Sequence, residues 1–330
     1  SDCNGDGMAE EGYGILCATG HEWWAAPGKK VCDSDTGGLV CSVEDVEGAE
    51  IGQIRLPSAT SFVLRKNLVW VTLANRLEAY DISNPAIARL VSSLTLPGRA
   101  RDIVLHGSYA FVASDRRVIV VNVRWPESPF VVAEVVTCGQ ARSIAVMGTT
   151  LTVASSGGLG LIDVSNPREP EGLGMLWVLE AGPNVSTYGG SMEDCARLCE
   201  GEQAALDLVF SVSDFGRSLE ADGGFIYAAS RGKLVSFGIG QDNVPALLDY
   251  IAYPGRVEKI RLYGDHAYAN LNGRRTSLVL ISVPEALEEV GGHEVDWWVE
   301  GLEIQGDRAY VLDGNRLKIA QVQPSWGWIW

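Results

Sequence analysis

LGLIDVSNP (residues 159–167) and LEAYDISNP (residues 77–85) are two copies of one nine-residue pattern, and VIVVNVRWP (residues 118–126) stands midway between them. The closing prolines Pro85, Pro126 and Pro167 fall 41 and again 41 residues apart. Fainter copies follow: LVSFGIG from Leu234 with Pro245, LVLISVP ending at Pro284, and RLKIAQVQP ending at Pro324. A copy without proline, LVCSVED, begins at Leu39 and brings the number to seven.

Each copy has the same surroundings. A β-rich run precedes it, such as LVWVTL from Leu68, YAFVAS from Tyr109 or FIYAAS from Phe225, and a further short apolar run precedes that one. Polar turns such as HGS, DGG and YGD separate the two, as hairpins require. A fourth run follows the proline. Four short strands in each period of about 40 residues are the pattern of propeller blades, sheets that bury both faces only by stacking around an axis. The proline belongs outside the hydrogen-bonded ladder, between third and fourth strands. The expected fold is an all-β propeller of seven four-stranded blades. Six blades with an N-terminal appendage is the rival count, because the first unit must draw its inner strands from the cysteine-rich region around Trp23 to Asp33.

LGLIDVSNP beside LEAYDISNP resembles the LVIVD-repeat proteins of bacteria and archaea. The resemblance spans about Leu39 to Pro324. It implies a β-propeller in an extracytoplasmic or cell-surface setting. It implies no activity, since that family shares no catalytic motif.

Pro167 and Pro245 are 78 residues apart. The surplus marks an insertion at about residues 180–207, in which MEDCARLCEGEQAALDL is the best helix candidate, with Ser191 placed as its N-cap. The expected organisation is an acidic, cysteine-containing segment over residues 1–21 and a single propeller over 22–330 carrying this short helical insertion. Long insertions on one face of a repeat array often belong to its functional face; a tolerated excursion is the alternative.

The 330 residues carry 26 Lys and Arg against 42 Asp and Glu, a net charge of −16. That balance disfavours nucleic acid and bare anionic membranes as partners. No apolar run approaches the roughly 20 residues that span a bilayer. The opening SDCNGDG reads as a trimmed start, which leaves a lipid anchor on Cys3 as a minor reading. Cys3, Cys17, Cys32, Cys41, Cys138, Cys195 and Cys199 show no C-x-x-C spacing, so they read as disulfide candidates in an oxidising compartment, with one thiol left over. The protein is therefore expected to be secreted, periplasmic or on the cell surface.

The start of each inner strand gives the candidate ligand-binding residues Thr60, Arg101, Arg142, Arg217, Glu258 and Glu300. In a propeller they should surround the mouth of the central channel, where arginine forks suit an anionic ligand. The alternative is that these charges satisfy one another, or Asp102. Asp2, Asn4 and Asp6 match the first half of a calcium loop, but Tyr13 stands where the bidentate Glu belongs; calcium is the one cofactor considered. His106 and His266 fall beside turns and are expected to be exposed. Trp326, Trp328 and Trp330 alternate, as in an outer strand of the last blade or an exposed aromatic surface.

No catalytic motif occurs. The expected function is a binding or scaffold module for a protein or glycan partner at the cell surface. A propeller-type hydrolase or lyase with its site at the channel mouth, and a structural subunit of a surface assembly, are the alternatives. A divalent ion held by Glu258 and Glu300 would favour the enzyme, and a large oligomer the assembly.

Overall fold

The nine-residue pattern becomes the third strand of a blade and the turn that ends it. In Arg76–Asp81 the apolar residues Leu77 and Ala79 are buried. The strand stops because Asp81 Oδ1 accepts the amide of Ser83 at 2.9 Å, and Asn84 Oδ1 accepts that of Ala86 at 3.2 Å. Pro85 then opens a short 3-10 turn over Pro85–Ile87. In the next copy Asn122 accepts from Arg124 at 3.0 Å, and in the third Asp163 accepts from Ser165 at 2.8 Å. The Asp/Asn that ends the strand in these three copies is thus a turn former that takes the chain out of the ladder.

The computed structural model describes residues 16–21, 24–32, 39–42, 49–137, 139–156, 158–181, 184–190, 218–230, 232–239, 245–271, 275–294, 301–305 and 308–321. Six four-stranded antiparallel blades result. Blade 1 comprises Ala59–Arg65, Leu68–Leu73, Arg76–Asp81 and Arg89–Thr95. Blade 2 comprises Ala100–His106, Tyr109–Ser114, Arg117–Asn122 and Phe130–Val136. Blade 3 comprises Ala141–Met147, Thr150–Ser155, Gly158–Asp163 and Glu171–Ala181, to which Asn184–Gly190 adds a fifth strand. Blade 4 runs through Leu219–Asp222, Phe225–Ser230, Lys233–Ile239 and Pro245–Ala252. Blade 5 runs through Val257–Tyr263, His266–Leu271, Arg275–Leu280 and Glu288–Glu294. Blade 6 has only three strands from the C-terminal end of the chain, Gly301–Gln305, Arg308–Asp313 and Arg316–Gln321. Its outer strand is Ala49–Arg55, paired antiparallel with Arg316–Gln321.

That pairing corrects the count of seven blades to six. LVCS at Leu39 has the composition of a third strand. Its partner is Trp24–Cys32, in a separate three-stranded sheet with Leu16–His21. The strand after it leaves that sheet and closes the ring, because blade 6 would otherwise present an open edge. The outer position of the last blade is therefore filled from the N-terminal side, not by the tryptophan-rich end. Trp326, Trp328 and Trp330 lie outside the described residues. Within the expected insertion, Asn184–Gly190 pairs with Glu171–Ala181 as a strand. The helix candidate lies beyond it, outside the described residues.

The core is a ring of clusters, each between two neighbouring blades. Trp70, Leu77 and Ala79 of blade 1 pack with Ile103, Ala110 and Val112 of blade 2. Phe111 and Val120 pack with Ile144 and Val153 across the next junction, and Leu312, Leu317 and Ile319 of blade 6 pack on Phe62 and Val71 of blade 1. A second strand in the middle of such a stack is covered on both faces, which explains its near-continuous burial. The closing strand must come very near the neighbouring blade. A Cβ on Gly52 would lie 2.0 Å from the Pro85 carbonyl oxygen, so only glycine fits there.

Candidate functional site

Inner strands border the channel with their free edge, and a free edge leaves backbone N–H groups unpaired. Side chains from the preceding blade accept several of them. Asp102 of blade 2 accepts Ile144 N at 3.1 Å, Ser143 of blade 3 accepts Leu219 N at 3.0 Å, and Ser218 accepts Ile260 N at 3.2 Å. Across the seam between blades 6 and 1, Glu303 Oε2 accepts Leu64 N at 2.9 Å. Asp102 is the centre of this belt. Its carboxylate also accepts the hydroxyls of Ser61 at 2.7 Å and Ser143 at 2.5 Å, and so joins three blades.

The candidate ring stands one residue before this belt. Register shifts fall between Ala59 and Ser61, between Ala141 and Ser143, and between Val257 and Lys259, leaving Thr60, Arg142 and Glu258 as extra residues of β-bulges. Arg101 is skipped in the same way, between Ala100 and Asp102. A bulge turns its side chain away from the ladder, and bulges are common beside binding sites. The structure thus gives these four residues one equivalent place at the mouth end of their inner strands. Their environments differ. Thr60 is tied down, its hydroxyl 2.9 Å from that of Thr72 and donating to the Ala100 carbonyl at 3.1 Å. Arg101 Nη2 reaches Gln140 Oε1 at 3.4 Å, while its buried Nε has no partner. Arg142 and Glu258 are half-buried and engaged. Arg217 and Glu300 lie outside the described residues. So do Asp2, Asn4 and Asp6 of the calcium candidate, and Cys3, Cys138, Cys195 and Cys199. Cys17, Cys32 and Cys41 fall on the three strands of the N-terminal sheet.

Three residues further along the inner strands lies a set that the sequence reading missed. Val63, Val104 and Ala145 occupy this position in blades 1–3, and Glu220, Arg261 and Glu303 occupy it in blades 4–6. This position is apolar in blades 1–3, where it packs on the clusters between blades, and charged in blades 4–6. Arg261 is ion-paired with Glu220, and about a third of its side chain still meets solvent. Burial opposes its charge, but the carboxylates of Glu220, Glu303 and Asp102 more than offset that and hold it protonated. Burial pushes the Glu303 carboxyl up to about 7, against the pull of Arg261. The same spacing that aligned the mouth residues reveals this set when it is read three residues further along each strand.

His266 corrects another expectation. It is 8% exposed, with Nδ1 2.6 Å from Asp265 Oδ1, because the strand it opens is the buried second strand of blade 5. Among the described residues there is no group of three or more His, Cys, Asp and Glu placed to hold a metal.

Residues 97–137 and 138–174 match the LVIVD repeat. The chain carries LVIVD repeats. The first window covers blade 2 with the connection that enters it, and the second covers blade 3 as far as the start of its outer strand. No curated protein matches the chain. Solved structures resemble it in fold. The computationally designed Ika8 protein is 8% identical, with 84% of this chain and 98% of that chain covered and a TM-score of 0.50. The β-propeller domain of Cps50 (Swd1) from Myceliophteria thermophila is 9% identical, covering 84% of this chain and 100% of that one at a TM-score of 0.50. A chain of a mitotic checkpoint complex is 9% identical, covering 85% and 94% at 0.51. At such identities the likeness is one of fold alone.

Proposed function

We propose that this LVIVD-repeat propeller is an extracytoplasmic binding or scaffold module whose partner docks on the face carrying the channel mouth. The supporting observation is the way charge is divided between the two faces. Inner strands begin on the mouth face, where outer strands return and second strands turn into third strands. Among the described residues, Arg55, Arg99, Arg101, Arg116, Arg142 and Arg256 cluster there, against Asp115 and Glu258. The opposite face is richer in carboxylates, with Asp81, Glu127, Asp163, Glu169, Asp265, Glu285 and Glu288 at its turns against the cations Lys66, Arg89, Arg124 and Arg168. On a chain of net charge −16, a cationic mouth face favours a partner surface rich in carboxylates and speeds their encounter. The bulges at Arg101 and Arg142 place two of these forks at the mouth itself. The extracytoplasmic setting rests on seven cysteines without metal spacing.

Cell fractionation followed by co-purification tests both parts. The protein should be recovered outside the cytosol, and at least one protein that co-purifies with wild type there should be lost with Arg101→Ala/Arg142→Ala, while the melting temperature stays within about 2 °C. Recovery in the cytosol would contradict the setting. An unchanged set of co-purifying proteins would contradict the docking face.

A further inference from the structure

The ring closes on an uncompensated pair of arginines. Arg55, the last residue of the closing strand, and Arg316, the first residue of the third strand of blade 6, are direct cross-strand partners, and both are exposed. Like charges in that relation repel. The other blades avoid this. The cation that begins their third strand faces Thr95 in blade 1, Val136 in blade 2 and Ala252 in blade 4.

Blades 1 and 2 also supply a carboxylate nearby. Arg76 in blade 1 meets Glu78, two residues further along its own strand, at 3.1 Å. Arg117 in blade 2 meets Glu134, two residues before the end of the outer strand, at 2.6 Å. The corresponding positions in blade 6 are Lys318 and Gln53. Both places where a blade provides its own anion are thus taken by a cation and a neutral amide. Neither Arg55 nor Arg316 meets a carboxylate among the described residues. Beside them is a depression of about 840 Å3 lined by Gln53, Arg55, Gly314, Asn315 and Arg316, within the usual size of small-ligand sites. Asn315 is held in place by its own bonds: its carbonyl accepts Leu56 N at 2.7 Å and its Oδ1 accepts Ser58 N at 3.4 Å. The remaining side-chain group it can offer is an amide donor.

We propose that this depression binds an oxyanion, the carboxylate or phosphate of a small ligand, held between the Arg55 and Arg316 guanidinium groups with amide donors from Asn315 and Gln53. Two planar forks on one side of a depression match the bidentate geometry that such groups accept. The bound anion would replace the carboxylate that blades 1 and 2 carry in their own sequence. Because Arg55 comes from the first strand of the ring and Arg316 from the last, the ligand would also clasp the closure and stabilise the closed ring by mass action.

Thermal melts of the full chain test this, with inorganic phosphate and succinate as separate probes, each against sodium chloride at equal ionic strength. At least one anion should raise the wild-type melting temperature by about 2 °C or more. Phosphate alone would assign a phosphoryl group, succinate alone a carboxylate, and both an oxyanion site without preference. Arg316→Glu should melt higher than wild type in chloride, since repulsion becomes a cross-strand ion pair, and should lose the response to either anion. Arg55→Gln should lose the response as well. General exclusion of phosphate from protein surfaces raises wild type and variants alike. An equal rise in all three proteins, or no rise in wild type with either anion, would overturn the site.

Discussion

Asp102 and Glu303 are two acids beside the channel with different surroundings. Asp102 accepts two hydroxyl and two backbone donors, Ser61, Ser143, Ile103 and Ile144. Hydrogen bonds to a charged acceptor contribute about 1.5–3 kcal/mol each, and those from Ser61, Ser143 and Ile144 tie Asp102 to the neighbouring blades. Glu303 has one backbone donor and the field of Arg261, and burial outweighs them. A carboxyl whose folded pKa is about 7 against an ordinary 4.5 binds its proton more tightly in the folded state. The stability it gives is complete below about pH 4.5 and is lost as pH rises through about 7. Glu303→Gln keeps the uncharged form at every pH. In melts across pH 4–8, the variant should gain on wild type between about 4.5 and 7 and hold that gain above. A variant that loses ground as pH rises would mean that Arg261 outweighs burial.

At the scale of the element, the closing strand is held to its place by a glycine. Gly52 and Gly291 occupy the same register in blades 6 and 5, opposite Ile319 and Leu278. A Cβ at Gly52 would strike the Pro85 backbone, whereas one at Gly291 meets nothing within 4 Å. Gly52→Ala should therefore lower stability by about 1–3 kcal/mol in urea unfolding, with Gly291→Ala close to wild type. Equal effects would show that the strand does not dock against the Pro85 turn. Contrasts of this kind also explain what the sequence made legible. The third strand and its turn were readable because Asp81, Asn84 and Pro85 act on residues two or three positions away, and the blade follows from their repetition. The mouth positions could be aligned for the same reason. Ala49–Arg55 could not be assigned, because its partner lies more than 260 residues away and nothing within AEIGQIR distinguishes a first blade's strand from a last one's. The charged set of Glu220, Arg261 and Glu303 was missed because the same position is apolar in the three best-preserved repeats.

At the scale of the molecule, the sixth blade is completed only by pairing Ala49–Arg55 with Arg316–Gln321, the first strand of the ring with the last. Stability, the mouth face and the arginine pair at the seam all depend on that one ladder. Seven blades would instead place residues 49–55 beside the strand at Leu39, as the outer strand of a first blade. The register puts Gln53 directly opposite Lys318, where side chains stand about 4.5–5.5 Å apart at Cβ. The decisive measurement is therefore a crosslink: the variant Gln53→Cys/Lys318→Cys, treated with a short bis-maleimide, purified as monomer and digested for mass spectrometry. The six-bladed ring predicts a linked pair of peptides carrying residues 53 and 318 within one chain. Linkage of residue 53 only to cysteines of the N-terminal sheet, with no peptide joining 53 to 318, would contradict it.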